Sequence, residues 1–119
     1  MPDSPQDLHK KILGRKGEKQ ALQFLKKQGY KLLKTNYRTP FGEADIVMKD
    51  GEEIVFIEVK TRSGDAYGAP REAVGSVKQQ RYYKIAECYW LETKIEPNAR
   101  FDVVEVYANG GVEHFKNAF

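Results

Sequence analysis

Asp45, Glu58 and Lys60 have the types and spacing to hold a divalent cation and act on a phosphate. Residues two apart on a strand share a face. Glu58 and Lys60 therefore project together, while Ile57 and Val59 project into the opposite layer. Glu43 and Asp45 share a face of the preceding strand in the same way, and Asp50-Gly51 between the two strands is a strong hairpin signal. A tight turn at that dipeptide pairs Asp45 with Phe56 and Glu43 with Glu58, and a looser one shifts the register. In both cases Asp45 and Glu58 lie within one or two residue steps. Carboxylates gathered beside apolar strands repel each other and lose hydration. A cation that prefers oxygen ligands, Mg2+ or Mn2+, offsets both penalties. Such an ion would orient and activate a water, and Lys60 would stabilise the transition state or help position that water. Glu-x-Lys on a strand is also a common surface salt bridge, so the motif alone does not decide. The apolar quality of the surrounding strands favours the metal site.

The elements that must position these residues follow from periodicity. Residues 1–7 read as a loose leader. From about Leu8 to Gln28 the pattern is helical, with Ile12, Ala21, Leu22 and Leu25 as its apolar positions and Gly29 as its stop. Gly14 and Gly17 inside it each cost about 1 kcal/mol relative to alanine, which implies a close approach there or a break. Tyr30–Arg38 reads as a strand offering Leu32, Leu33 and Tyr37 to a core. Thr39-Pro40-Phe41-Gly42 is a turn, and strands at Glu43–Lys49 and Glu53–Thr61 follow. Ile54-Val55-Phe56-Ile57 is apolar without alternation, as in a strand buried on both faces. Residues 63–70 form a loop. A second helix spans Ser76–Thr93, with Tyr82, Ile85, Ala86, Tyr89 and Trp90 as its stripe. Strands at Phe101–Tyr107 and Val112–Phe115 complete the order αβββαββ. This is an α/β chain with a mixed central sheet flanked by helices.

A chain of 119 residues suits one domain covering residues 1–119. No apolar run approaches the ~20 residues that cross a bilayer. The start has no signal-peptide core. One cysteine, Cys88, allows no internal disulfide and fits a cytoplasmic home without a membrane partner. With only His9 and His114 besides, a structural zinc site is disfavoured. The net charge of +3 hides a balance of +7 in residues 1–40 and −4 in residues 41–119. A basic first third fits a polyanion such as nucleic acid, or a solvated lysine-rich helix face.

Asp45 followed after a hairpin by Glu58-Val59-Lys60 resembles the PD-(D/E)-x-K signature of restriction-endonuclease-like nucleases. The wider set is Gly14-x-x-Gly17-Glu18, Asn36-Tyr37-Arg38, residues 42–47 and 56–62, Gly68-x-Pro70-x-Glu72-Ala73-Val74, Lys78-x-x-Arg81 and residues 100–104. It resembles the bacterial YraN family, which is similar to archaeal Holliday-junction resolvases. The resemblance runs from residue 12 to about 107. It implies a restriction-endonuclease-like fold, with Asp45 and Glu58 as metal-binding acids, Lys60 as the catalytic lysine and Glu18 as an acid from the first helix. Glu18 shares a helix face with Leu22 and Leu25, which permits that role. One departure is Ala44, where the signature has proline.

For nucleic acid, Lys10, Lys11 and Arg15 form a basic cluster with Lys16. Arg38 and Arg62 lie near strand ends by the site, and Lys78 and Arg81 share a helix face. Tyr67 would stack on a base or pack its loop. Glu43 reads as a further ligand or a surface acid, and Asp102 as a structural partner of Arg62 or Arg100. Three functions are consistent with the whole: a divalent-metal-dependent endonuclease on DNA, branched or otherwise structured; a nucleic-acid-binding module of the same fold with little catalysis; or an interaction subunit dimerising through the aromatic helix face. A homodimer would follow from the resemblance, since symmetric cutting of a junction needs two sites.

Overall fold

The computed structural model describes residues 5–62, 75–96 and 98–119, with residues 5–13 described by backbone alone. The elements are α1 (Pro5–Lys27), β1 (Lys31–Thr39), β2 (Gly42–Asp50), β3 (Glu53–Arg62), α2 (Ser76–Thr93), β4 (Asn98–Tyr107) and β5 (Val112–Phe115). They follow the expected order, with boundaries shifted by up to three residues. The sheet runs β1-β2-β3-β4-β5. β3 and β4 are parallel and the other pairs antiparallel. A parallel pair requires a crossover, and α2 lies in that connection. The result is an α/β fold with helices on both faces of a mixed sheet.

β3 is the central strand, and its alternation serves two cores. Val55 and Ile57 join Ala21, Leu25, Ile46, Met48, Val104 and Val106 on the α1 side. Phe56 joins Tyr37, Val47, Tyr82, Ile85, Tyr89 and Phe101 on the α2 side. Two apolar expectations fail. Leu32 and Leu33 are exposed and only Tyr37 of β1 is buried, because β1 is an edge strand that no helix covers along its first half. A bulge between Leu32 and Lys34, with Lys31 and Lys34 beside it, blunts this edge against pairing with another chain. Trp90 is likewise exposed, since the buried stripe of α2 is Tyr82, Ile85, Ala86 and Tyr89.

The hairpin register also differs from the tight expectation. Asp50 pairs with Glu53, so the loop is Gly51-Glu52 rather than Asp50-Gly51. Gly51 takes the first loop position at φ +59°, where a side chain would be strained, and Asp50 stays in the strand bonded to Arg100. Asp102 partners Arg100, not Arg62, which instead reaches Glu105.

Gly14 and Gly17 do not break α1. A Cβ on Gly17 would run into the Thr61 hydroxyl, whereas Gly14 faces open space. Gly17 thus lets α1 lie against the end of β3, beside the acids. Gly17→Ala is expected to destabilise the protein by about 1–2 kcal/mol, the overpacking cost outweighing the gain in helix propensity. In a Thr61→Ala background the same substitution should stabilise by about 1 kcal/mol. Urea denaturation of the four proteins checks the sign reversal.

Candidate active site

Past the bulge, the β1–β2 ladder runs through Lys34↔Val47 and Thr35↔Ile46 and resumes at Tyr37↔Ala44, with Asn36 and Asp45 between. Asn36 has φ +49°, a left-handed conformation that asparagine tolerates better than most residues. Alternation breaks here on both strands. Ile46 belongs to the α1-side core, whereas Ala44 and Tyr37 belong to the α2-side core. The β2–β3 ladder stops at the same level, at Ile46↔Ile57. Continued by one step it would set Asp45 opposite Glu58. Instead the Asp45 carboxylate inserts between the strands and accepts the Val59 N–H at 2.7 Å.

Asp45 and Glu18 line one open cleft of about 240 Å³, with Arg15, Lys19, Leu22, Thr35 and Asn36 around them. Burial pushes the Asp45 carboxyl up to about 6. The Val59 hydrogen bond opposes that rise, and the charges of Glu18, Glu58 and Glu43 add to it. The Glu18 carboxyl is also raised, by burial first and then by Glu43, with Arg15 pulling the other way. Glu43 therefore contributes charge to the site although it is exposed and ion-paired with Arg38 at 3.6 Å.

Glu58 lies on the α2 side of the sheet. It is buried, forms an ion pair with Lys78 from the first turn of α2, and leaves Oε2 buried without a hydrogen bond among the described residues. Lys60, two residues on, is half-buried and lies opposite Glu105 of β4 in the parallel register. Glu105 is buried and receives Arg62 at 3.4 Å and the Tyr107 hydroxyl at 2.8 Å. Sequence reasoning missed Glu105; its one signal was a charged residue within the apolar run Val103–Val106.

The donor set matches a hard cation in chemistry: oxygens only, one of them orphaned, with the carboxyls of Asp45 and Glu18 raised by burial and by neighbouring acids. The acids do not converge into a finished cage. Among the described residues no group of three His, Cys, Asp or Glu side chains is close enough to hold an ion as it stands. Glu18 approaches from the α1 face and Glu58 from the α2 face, with Asp45 at the gap between them, and Lys78 occupies one Glu58 oxygen.

Of the other basic residues, Arg15 lines the Glu18 cleft and Arg38 is exposed on β1. Arg81 lies against Gly42 at the end of the β1–β2 hairpin. The side chains of Lys10 and Lys11, together with Gly68, Pro70, Glu72–Val74 and Tyr67, lie outside the described residues.

The mixed sheet, helices on both faces and acids where the ladder opens define an α/β architecture compatible with the restriction-endonuclease-like nuclease fold. The family model described as "Uncharacterised protein family UPF0102" matches residues 17–106, and the chain belongs to that family, the YraN family. A UPF0102 protein of Thermodesulfovibrio yellowstonii is 48% identical over 107 residues, covering 90% of this chain and 95% of that one. One from Caldicellulosiruptor saccharolyticus is 44% identical, covering 94% and 100%. One from Geobacter metallireducens is 45% identical, covering 94% and 95%. Among the described residues no helix is long and apolar enough to cross a membrane.

Proposed function

We propose that this protein is a divalent-metal-dependent endonuclease that hydrolyses phosphodiester bonds of DNA, with structured DNA as its target. The observation that carries the reading is Asp45: a carboxylate inserted where two ladders open, its proton affinity raised by burial and by three neighbouring acids. An ordinary surface salt bridge does not require that. Asp45 and Glu58 would hold Mg2+ or Mn2+, with Glu18 as a further acid in the cleft. The ion would supply Lewis acidity to the phosphate and to the attacking water. Lys60 then directs its ammonium at the charge that builds on phosphorus-bound oxygens as the water oxygen bonds to phosphorus and the leaving oxygen departs. Arg15, Arg38, Arg62, Lys78 and Arg81, with Lys10 and Lys11, contribute backbone contacts. Symmetric cutting of a branched substrate would use a homodimer, and a cytoplasmic location accords with this activity.

The Lys78–Glu58 pair favours one alternative, a nucleic-acid-binding module that keeps the fold and does little chemistry. One experiment separates the two. Purified protein is incubated with a panel of duplex, flapped, branched and single-stranded DNA, with and without Mg2+ or Mn2+. Metal-dependent cleavage that Asp45→Ala and Lys60→Ala both abolish is the expected result. Cleavage that survives both substitutions would sink the site assignment. Salt-sensitive binding without cleavage of any substrate would favour the module.

A further inference from the structure

The tip of the β1–β2 hairpin holds an aromatic ring out of the core. Phe41 is 46% exposed, although it is apolar. Its turn is rigidly built. The Thr39 hydroxyl donates to the Gly42 carbonyl at 2.9 Å, and Thr39 Oγ1 accepts the Phe41 N–H at 3.1 Å. Gly42 sits at φ +135°, and a Cβ there would meet the Arg81 side chain. The turn is therefore fixed against α2 with its ring still half open to solvent.

The helix answers with a stripe of its own. Val77, Gln80, Arg81 and Lys84 follow i, i+3, i+4, i+7 spacing beside the buried stripe of Tyr82, Ile85, Ala86 and Tyr89. With Phe41 they line an open hollow of about 210 Å³. The Lys84 ammonium lies over one face of the Phe41 ring, 5.0 Å from its centre, which leaves the opposite face for a base. An aromatic face flanked by cations and an amide is the pairing that single-stranded nucleic acid selects, since bases stack while phosphates seek positive charge. Among the described residues no acid lines the hollow. It lies four residues from Asp45 along β2, about 13 Å at strand rise, so one strand of nucleic acid can reach both.

We propose that this hollow is a subsite for an unpaired nucleotide: Phe41 stacks its base and Arg81 and Lys84 hold its flanking phosphates. This rests on the nuclease reading and narrows its substrate to DNA with unpaired nucleotides beside the cut, rather than fully paired duplexes or junctions. Lys84 and Phe41 lay outside the basic set read from the sequence, because the ring sits in a turn and the lysine reaches it only across the fold.

The test measures binding by fluorescence anisotropy of the full chain in chelator, so that cleavage does not intervene. The probes are a labelled blunt duplex and the same duplex carrying a short single-stranded overhang. Wild-type protein is expected to prefer the overhang. Phe41→Leu should weaken overhang binding about 5- to 150-fold and leave blunt-duplex binding unchanged, while Phe41→Trp should retain the preference. An abasic nucleotide at one overhang position should cause the same loss, and Phe41→Leu should add nothing to it, as expected when both changes remove one contact. Equal weakening on both probes, or additive losses, would overturn the subsite. A wild-type protein that binds neither probe would sink the nuclease reading and the subsite together. A wild-type protein that binds the overhang probe but whose binding ignores Phe41→Leu would sink the subsite alone.

Discussion

Asp45→Asn is expected to reduce metal-supported cleavage by more than about 100-fold while making the metal-free protein more stable. In the proposed nuclease the first effect follows from removing the charge of a residue that would hold the metal, since even partners one shell further out typically change metal affinity or activity about 10- to 100-fold. The second follows from burial. The Asp45 carboxyl is raised from its ordinary range to about 6, so ionising it at pH 7 costs the fold on the order of 3 kcal/mol. The sign is that of a raised acid. Between about pH 4 and 6 the folded state binds the extra proton, so this group's contribution to stability falls as pH rises through that window and is lowest above it. Asparagine keeps an oxygen for the Val59 N–H and carries no charge. Melting temperature measured from pH 4 to 8 should decline less steeply for Asp45→Asn than for wild type. Millimolar Mg2+ should raise the wild-type value at pH 7.5 and leave the variant unchanged. A variant less stable than wild type at pH 7.5, with the wild-type pH slope, would remove the physical basis for the site.

The second large effect lies at the other end of the sheet, in a cluster that does no chemistry in this reading. Arg100 is nearly buried, bonds both oxygens of Asp102 at 3.0 and 2.9 Å, and reaches Asp50 at 2.8 Å, Glu53 at 3.1 Å and the Tyr30 hydroxyl. Asp102, fully buried, also meets His114 Nε2 at 2.7 Å and accepts the Asn117 N–H at 2.9 Å. One side-chain network thus ties the end of α1, the β2–β3 hairpin, β4 and the residues after β5. Arg100→Met should cost about 3–5 kcal/mol, because it leaves a buried carboxylate short of its countercharge. Burial alone would raise the Asp102 carboxyl, but the His114, Arg100 and Asn117 hydrogen bonds outweigh it and hold the group below its usual range. Its stabilising contribution is therefore present above the unfolded-state carboxyl pKa and lost as pH falls through the folded one. Arg100→Met should flatten that acid limb in urea titrations at pH 3 and pH 7. A loss under about 1 kcal/mol would mean the cluster behaves as an exposed one.

Local chemistry made much of the molecule legible from sequence. Gly29 marked the end of α1, the unalternating Ile54–Ile57 run marked β3 as central, and the bounds of α2 and β5 match residue for residue. Glu58 and Lys60 share a face because β3 pairs with β4 in unbroken register through both residues. Asp45 was legible as an acid near them, and the family as a pattern of glycines and charges along the chain. Other features depend on partners distant in sequence. Leu33 and Trp90 look like core residues until the sheet order leaves β1 at an edge and α2 turned by one position. The observed hairpin register keeps Asp50 in its strand, where Arg100, fifty residues away in sequence, bonds it.

For the site, the sequence by itself determined which acids and which lysine are present and that two of them share a strand face. That follows from a two-residue period set by backbone sterics. Only the tertiary structure decided that Asp45 enters the gap between β2 and β3, that Glu18 arrives from one face and Glu58 from the other, and that Lys78 meets Glu58. Those placements depend on where ladders stop and helices pack, and the resulting burial and neighbouring charge raise the proton affinities of Asp45 and Glu18. Spacing along one strand carries no information about either.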